Sequence, residues 1–133
     1  MIVDTSAIVA ILRDESDAQT FAENIAGARI RRVSAVSYVE TAALIDGSRD
    51  PIASRRFDDF VREGSLQIEN VTAEQAHIAR QAYKDFGKGS GHPAQLNFGD
   101  CFSYALAKSM NESLLFKGHD FAHTDLTSAL ESP

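Results

Sequence analysis

Apolar positions along this chain fall into short runs that alternate with longer stripes of helical period. The run MIVD reads as a short buried strand, and TSAIVAIL continues as a helix with Thr5 or Ser6 near its cap. SDAQTFAENIAG has an amphipathic helical pattern ended by Gly27. RIRRVSA can extend as a strand, and VSYVETAALIDG follows as a helix with Ser34 or Ser37 near its start and Gly47 at its end. In DPIASRRFDDFVREGS, Asp50 is the expected cap, Pro51 the first helical position and Gly64 the stop. LQIENV alternates with the two-residue period of a strand. TAEQAHIARQAYKDFG reads as a helix capped by Thr72, with Ala76, Ala79, Tyr83 and Phe86 as its apolar stripe and Gly87 as its stop. The loop GKGSGHPAQL then leads to a helix in LNFGDCFSYALAK, and LLFKG closes the series as a fourth short strand.

Strands that alternate with helices or helix pairs predict an α/β protein with a parallel sheet covered on both faces. Ligands in such sheets bind outside the carboxyl ends of the strands. Asp4 stands at the carboxyl end of the first strand, and Asp120 follows the last one closely.

Length and charge narrow the picture. A chain of 133 residues is long enough for one domain with a real core. No apolar run approaches the roughly 18 residues of a membrane span. The N-terminal MIVDTSAIVAILRDE lacks the basic start of a secretory signal. The lone cysteine, Cys101, allows no internal disulfide; it fits a reducing, cytoplasmic setting and reads as a plain buried thiol. A net charge of −6 argues against a protein that merely coats nucleic acid. It leaves room for an enzyme that gathers acids around a metal and acts on nucleic acid.

Most of the 19 acidic residues lie in solvated stretches such as RDESD, FDDFVRE and YKDFGK. Four do not. Asp4 (MIVDTSAIVAIL), Glu40 (VSYVETAALI) and Asp100 (NFGDCFSYALA) sit in apolar company, and Asp120 (LLFKGHDF) lies beside a buried strand. A buried carboxylate must be paired, protonated or bound to a cation. Their own segments supply no four matching cations. One crevice at the strand ends can collect all four, and a hard divalent ion such as Mg²⁺ or Mn²⁺ would relieve their repulsion. Acid clusters of this kind suit phosphodiester cleavage.

These pieces together resemble PIN-domain ribonucleases, specifically the VapC toxins of bacterial toxin–antitoxin pairs. The resemblance runs over essentially the whole chain. It is carried by a hydrophobic strand ending in Asp4-Thr5-Ser6-Ala7, Glu40 in the helix after the second strand, the GKG…H…LNFGDCFSYALA segment, and FKGHDF with HTD after it. It implies a single PIN-like domain over residues 1–133, a three-layer α/β/α sandwich with a parallel central sheet, and a Mg²⁺- or Mn²⁺-dependent endoribonuclease. Asp4, Glu40, Asp100 and Asp120 become the catalytic, metal-holding acids, with Asp125 as a competitor for the fourth place. Ser6 becomes a supporting hydroxyl. The N-terminus of its helix is expected to favour the ionised form of Asp100. The implied reaction is in-line attack by a metal-activated water, leaving 5′-phosphate and 3′-hydroxyl ends. The implied partners are tRNA or ribosomal RNA, whose cleavage arrests translation, a small VapB-like antitoxin laid across the site, and a second copy in a homodimer.

Other features have competing readings. GKGSG fails as a P-loop, because Lys88 is followed by Gly89 and the loop comes after a helix. Lys88 and His92 are either RNA-backbone contacts or parts of a solvated loop. Arg29, Arg31 and Arg32, and separately Arg55 and Arg56, read more readily as solvated faces than as binding patches. His119 and His123 flank Asp120 at a spacing zinc could use on a helix. Two imidazoles could also run a metal-free ribonuclease that leaves a cyclic phosphate. A phosphoacceptor receiver domain matches in length and in Lys117 after a late strand, but LQIENV ends without the acceptor Asp it needs. A catalytically silent PIN-like interaction module is the remaining alternative.

Overall fold

A computed structural model describes residues 1–130. Its centre is a four-stranded parallel sheet in the order β3-β2-β1-β4. The strands are short: β1 (Ile2–Val3), β2 (Arg32–Ser34), β3 (Gln67–Glu69) and β4 (Leu114–Leu115). Ile2 is in register with Arg32 on one side and Leu114 on the other, and Val33 pairs with Ile68. Six helices connect and cover the strands: α1 (Thr5–Leu12), α2 (Ala18–Gly27), α3 (Ala35–Asp46), α4 (Pro51–Glu63), α5 (Ala73–Phe86) and α6 (Phe98–Met110). Among the described residues no helix is long and apolar enough to cross a membrane.

The pleat explains the layers, because successive side chains of a strand face opposite ways. Ile2 and Leu114 join one core with Ala79, Ala82, Leu96, Tyr104 and Leu106, which belongs to α5 and α6. Val3, Val33 and Leu115 join the other with Ile8, Phe21, Ile25, Ile45 and Phe57, under α1 to α4. The expected three-layer α/β/α sandwich is what the chain forms. Residues 131–133, the end of the expected 1–133 domain, lie outside the described residues.

Most helix signals act where the residues place them. Asp50 caps α4 by accepting the Ile52 N–H at 3.0 Å, with Pro51 at the first position, and Thr72 caps α5. Two expectations need correction. The cap of α1 is neither Thr5 nor Ser6 but Asp4, whose side chain accepts the Ser6 N–H. On α5 the buried row is Gln75, Ala79 and Ala82, whereas Ala76 and Tyr83 are exposed. Rows starting at 75 and at 76 both keep helical spacing and share Ala79; burial on α6 favours the row with the smaller residue at 82.

Candidate active site

Asp4 follows β1, a central strand, and is buried at the sheet's carboxyl end. Its two oxygens are held by different elements. Ser6 donates to Oδ2 through both its N–H (3.0 Å) and its hydroxyl (2.7 Å), and the Ser6 hydroxyl oxygen accepts the Lys117 N–H at 2.9 Å. Ser103 of α6 donates to Oδ1 at 2.6 Å. A carboxylate offers about four lone-pair positions. These three donors therefore fill Oδ2 and leave Oδ1 one acceptor position.

Asp100 sits in the first turn of α6 in a full capping box. The Asn97 side chain accepts the Asp100 N–H at 2.8 Å, and Asp100 Oδ2 accepts the Asn97 N–H at 3.0 Å. The capping role and the pocket role coexist, one oxygen for each: Oδ1 has no donor among the described residues. The favourable helix N-terminus expected for Asp100 does not outweigh burial. Burial pushes the Asp100 carboxyl up to about 7, and repulsion from Asp4, Asp120 and Glu40 adds to it against the pull of the Asn97 N–H.

Glu40 reaches the site from α3. Its carboxylate lies so close to Gly99 of α6 that a Cβ at that position would overlap it. A larger residue there would force the Glu40 carboxylate to shift. Burial raises the Glu40 carboxyl, the Thr5 hydroxyl opposes this in part, and the charge of Asp4 raises it further. Asp120, in the turns after β4, is exposed and lines the same pocket as Asp4, Glu40 and Asp100, about 510 Å³ in volume.

Asp125 is elsewhere. It accepts the Tyr104 hydroxyl at 2.7 Å and pairs with Lys108 at 2.8 Å, which holds its carboxyl below the usual range. Lys88 and His92 lie outside the pocket. His92 Nδ1 accepts the Ala94 N–H at 3.0 Å and its ring stands edge-on to Phe86, so it closes the loop on itself. Arg31 donates to the carbonyls of Gly64 and Ala26, and Arg32 pairs with Glu69 and Glu112. His119 and His123 are exposed on turns rather than on a helix. Burial and the Asp100 charge push the Cys101 thiol up to about 11, so it is the inert buried thiol expected.

The four pocket acids lack counter-charges. Among the described residues no ion pair includes Asp4, Glu40, Asp100 or Asp120. Lys117 borders the pocket, but its Nζ is committed to Glu15 (2.5 Å) and Asp17 (3.2 Å). The open acceptors are all carboxylate oxygens, the donor set that hard divalent ions prefer. They fit such an ion in chemistry, although among the described residues no three acid, His or Cys side chains already converge on one point. Sequence reasoning missed Ser103 and Ser37 behind Asp4; small hydroxyls in an apolar helix carry no spacing signal.

A parallel α/β/α sandwich with acids gathered at the end of its central strands is the architecture of a PIN domain. The PIN domain family matches residues 1–126, and the chain belongs to it. Within that family it is similar to VapC ribonucleases: it is 56% identical to ribonuclease VapC28 of Mycobacterium tuberculosis over 98% of both chains. It is 50% identical to ribonuclease VapC42 of the same organism, over 97% of this chain and 98% of the relative. Among solved structures it resembles M. tuberculosis VapC20, a sarcin-ricin loop cleaving toxin, with a TM-score of 0.72 at 18% identity over 95% of each chain. It also resembles a chain of a toxin–antitoxin complex from Klebsiella pneumoniae, with a TM-score of 0.71 at 16% identity over 98% of each chain.

Proposed function

We propose that this chain is a divalent-metal-dependent endoribonuclease toxin whose site is the pocket of Asp4, Glu40, Asp100 and Asp120. The observation that carries the reading is four carboxylates lining one pocket with no ion-pair partner among the described residues, the bordering Lys117 being paired with Glu15 and Asp17. Mg²⁺ or Mn²⁺ bound there would polarise the scissile phosphate and lower the pKa of an attacking water. The chain's own residues prepare the site. Ser6 and Ser103 fix the Asp4 carboxylate, Asp100 lines the pocket with one oxygen left uncapped, and Gly99 gives Glu40 room beside the start of α6. Asp120 supplies the fourth charge, and Asp125, spent on Tyr104 and Lys108, is not part of the set. Cleavage by water would leave 5′-phosphate and 3′-hydroxyl ends.

On this reading a single domain over residues 1–133 works in the cytoplasm on tRNA or ribosomal RNA and arrests translation. A VapB-like antitoxin neutralises it with a basic residue against the uncompensated acids. Lys88 and His92, on the loop before α6, are left as RNA-backbone contacts at the edge of the substrate path. The homodimer has support from a groove of about 410 Å³ between α5 and α6, bordered by the exposed rings of Tyr83 and Phe98. A histidine-based, metal-free cleavage has no such support, because no histidine lines the pocket. The deciding experiment is cleavage of cellular RNA with Mg²⁺, with Mn²⁺ and with excess chelator, beside Asp4→Asn, with product ends mapped. Metal- and Asp4-dependent cleavage leaving 5′-phosphates is expected. Chelator-resistant cleavage with cyclic phosphate ends would refute the proposal, and no cleavage by the folded protein would favour a silent interaction module.

A further inference from the structure

Behind Asp4, outside the pocket lining, two serines are completely buried. Ser103 of α6 donates to Asp4 Oδ1 at 2.6 Å, and Ser37 of α3 has its hydroxyl 2.9 Å from that of Ser103. Each hydroxyl has one proton, and an ionised carboxylate only accepts. Ser103 must spend its proton on Asp4, so it can only accept from Ser37. The direction of the pair is thereby fixed: Ser37 donates to Ser103, and Ser103 donates to Asp4. The start of the relay is itself held, because the Ser37 carbonyl accepts the Thr41 hydroxyl at 2.8 Å.

Packing does not account for a serine at 103. It lies in the apolar stretch CFSYALA, where alanine is the better helix former and adds no polar group to bury. The hydroxyl is kept in place by what it does to Asp4.

We propose that Ser103, backed by Ser37, is a positioning residue that locks the Asp4 carboxylate in the orientation needed to hold a divalent cation. Ser6 fixes one oxygen from the strand end; the serine relay fixes the other from within the core. The inference rests on the reading of Asp4 as a metal ligand. Partners of this kind typically change metal affinity by roughly 10- to 100-fold when lost.

The test uses Ser103→Ala, Ser37→Ala and the double variant, with Mn²⁺ affinity measured by calorimetry beside RNA cleavage and thermal melting. Ser103→Ala should bind Mn²⁺ roughly 10- to 100-fold more weakly and lose kcat, with KM for RNA close to wild type and a lower Tm, because Ser37 is left buried without its acceptor. Ser37→Ala should show a smaller loss of the same sign. Because Ser37 acts only through Ser103, the double variant should be no worse than Ser103→Ala alone. Unchanged Mn²⁺ affinity in a folded Ser103→Ala protein, or losses that simply add, would overturn the relay. A purely structural serine would lower Tm and leave Mn²⁺ binding alone. The carbon-13 signal of the Asp4 carboxyl in chelator-treated protein gives a metal-free arm. It should move in both single variants, and a signal that stays put in Ser103→Ala overturns the relay. Equal Mn²⁺ binding by wild type and Asp4→Asn would instead sink the metal-site reading, with the carbon-13 arm still judging the serines.

Discussion

Asp100→Asn should stabilise the metal-free protein, and by more at pH 8 than at pH 5. In the folded chain the Asp100 carboxyl is pushed up from 3.8 to about 7. Between those values the folded chain keeps a proton that the unfolded chain has already released, so rising pH draws the equilibrium toward unfolding. At about 1.4 kcal/mol per pKa unit, the full cost above pH 7 is roughly 4 kcal/mol, of which about 1.5 is already present at pH 5. Solvent at the pocket mouth screens part of the remainder, leaving about 1–2 kcal/mol between pH 5 and 8. For a domain of this size that is roughly 3–10 °C in Tm. The amide still accepts the Asn97 N–H, so the capping box survives the change. Glu40 is present in both proteins, and its repulsion of Asp100 is part of what the substitution removes. The assay is thermal melting of wild type and Asp100→Asn in chelator across this range, repeated with excess Mn²⁺. The ion should take the proton's place and flatten the wild-type slope. A constant difference between the two proteins from pH 5 to 8 in chelator would show that burial and the neighbouring acids do not raise the Asp100 carboxyl as described.

Four further outcomes follow from the geometry. Asp4→Asn keeps the cap of α1, since asparagine caps as well as aspartate, and should abolish cleavage with a melting temperature near wild type. Gly99→Ala should push the Glu40 carboxylate out of place and cut kcat about 10-fold or more, while helix propensity at 99 improves by up to about 1 kcal/mol; wild-type turnover would remove Glu40 from the site. Asp120→Asn should lower turnover, whereas Asp125→Asn should leave it intact and cost about 1 kcal/mol on denaturant unfolding through Tyr104. Lys117→Ala should leave cleavage largely unchanged, because the lysine side chain serves Glu15 and Asp17 and only its backbone N–H reaches Ser6; a large loss would give its ammonium a role on the substrate.

The layered fold was legible because β1 and β4 each carry one apolar residue for each face, Ile2 and Val3 in one and Leu114 and Leu115 in the other, and because caps such as Asp50 and Thr72 are local chemistry. Asp4, Glu40 and Asp100 were legible as candidates because charge in apolar company is costly; Asp120 is exposed and was picked out by its place just after β4. What stayed hidden depends on three-dimensional neighbours. The cap of α1 is an exception: Asp4 accepts an N–H only two residues on, and an acid before TSAIVAIL is itself a cap signal, masked by the reading of Asp4 as a strand end. Tyr83 drew the stripe of α5 onto the wrong row, because an aromatic ring outweighs glutamine in any reading by hydropathy, yet Gln75 is buried and Tyr83 is not. Ser37 and Ser103 are 66 positions apart, and only the packing of α3 on α6 makes them one feature. Likewise the tie between the Lys117 N–H and Ser6 joins positions 111 apart.

The double duty of Asp4 has a genetic corollary. Aspartate and asparagine codons differ by a single transition, and the amide retains the cap of α1 that the acid provides. One base change should therefore disarm the chemistry and leave a folded chain with its surfaces intact. A cell carrying such an allele would not simply lack the protein. On the proposed reading it would make an inert decoy that competes with active copies for the proposed antitoxin, so loss of function at this position would be felt by the antitoxin's free concentration as well as by the RNA.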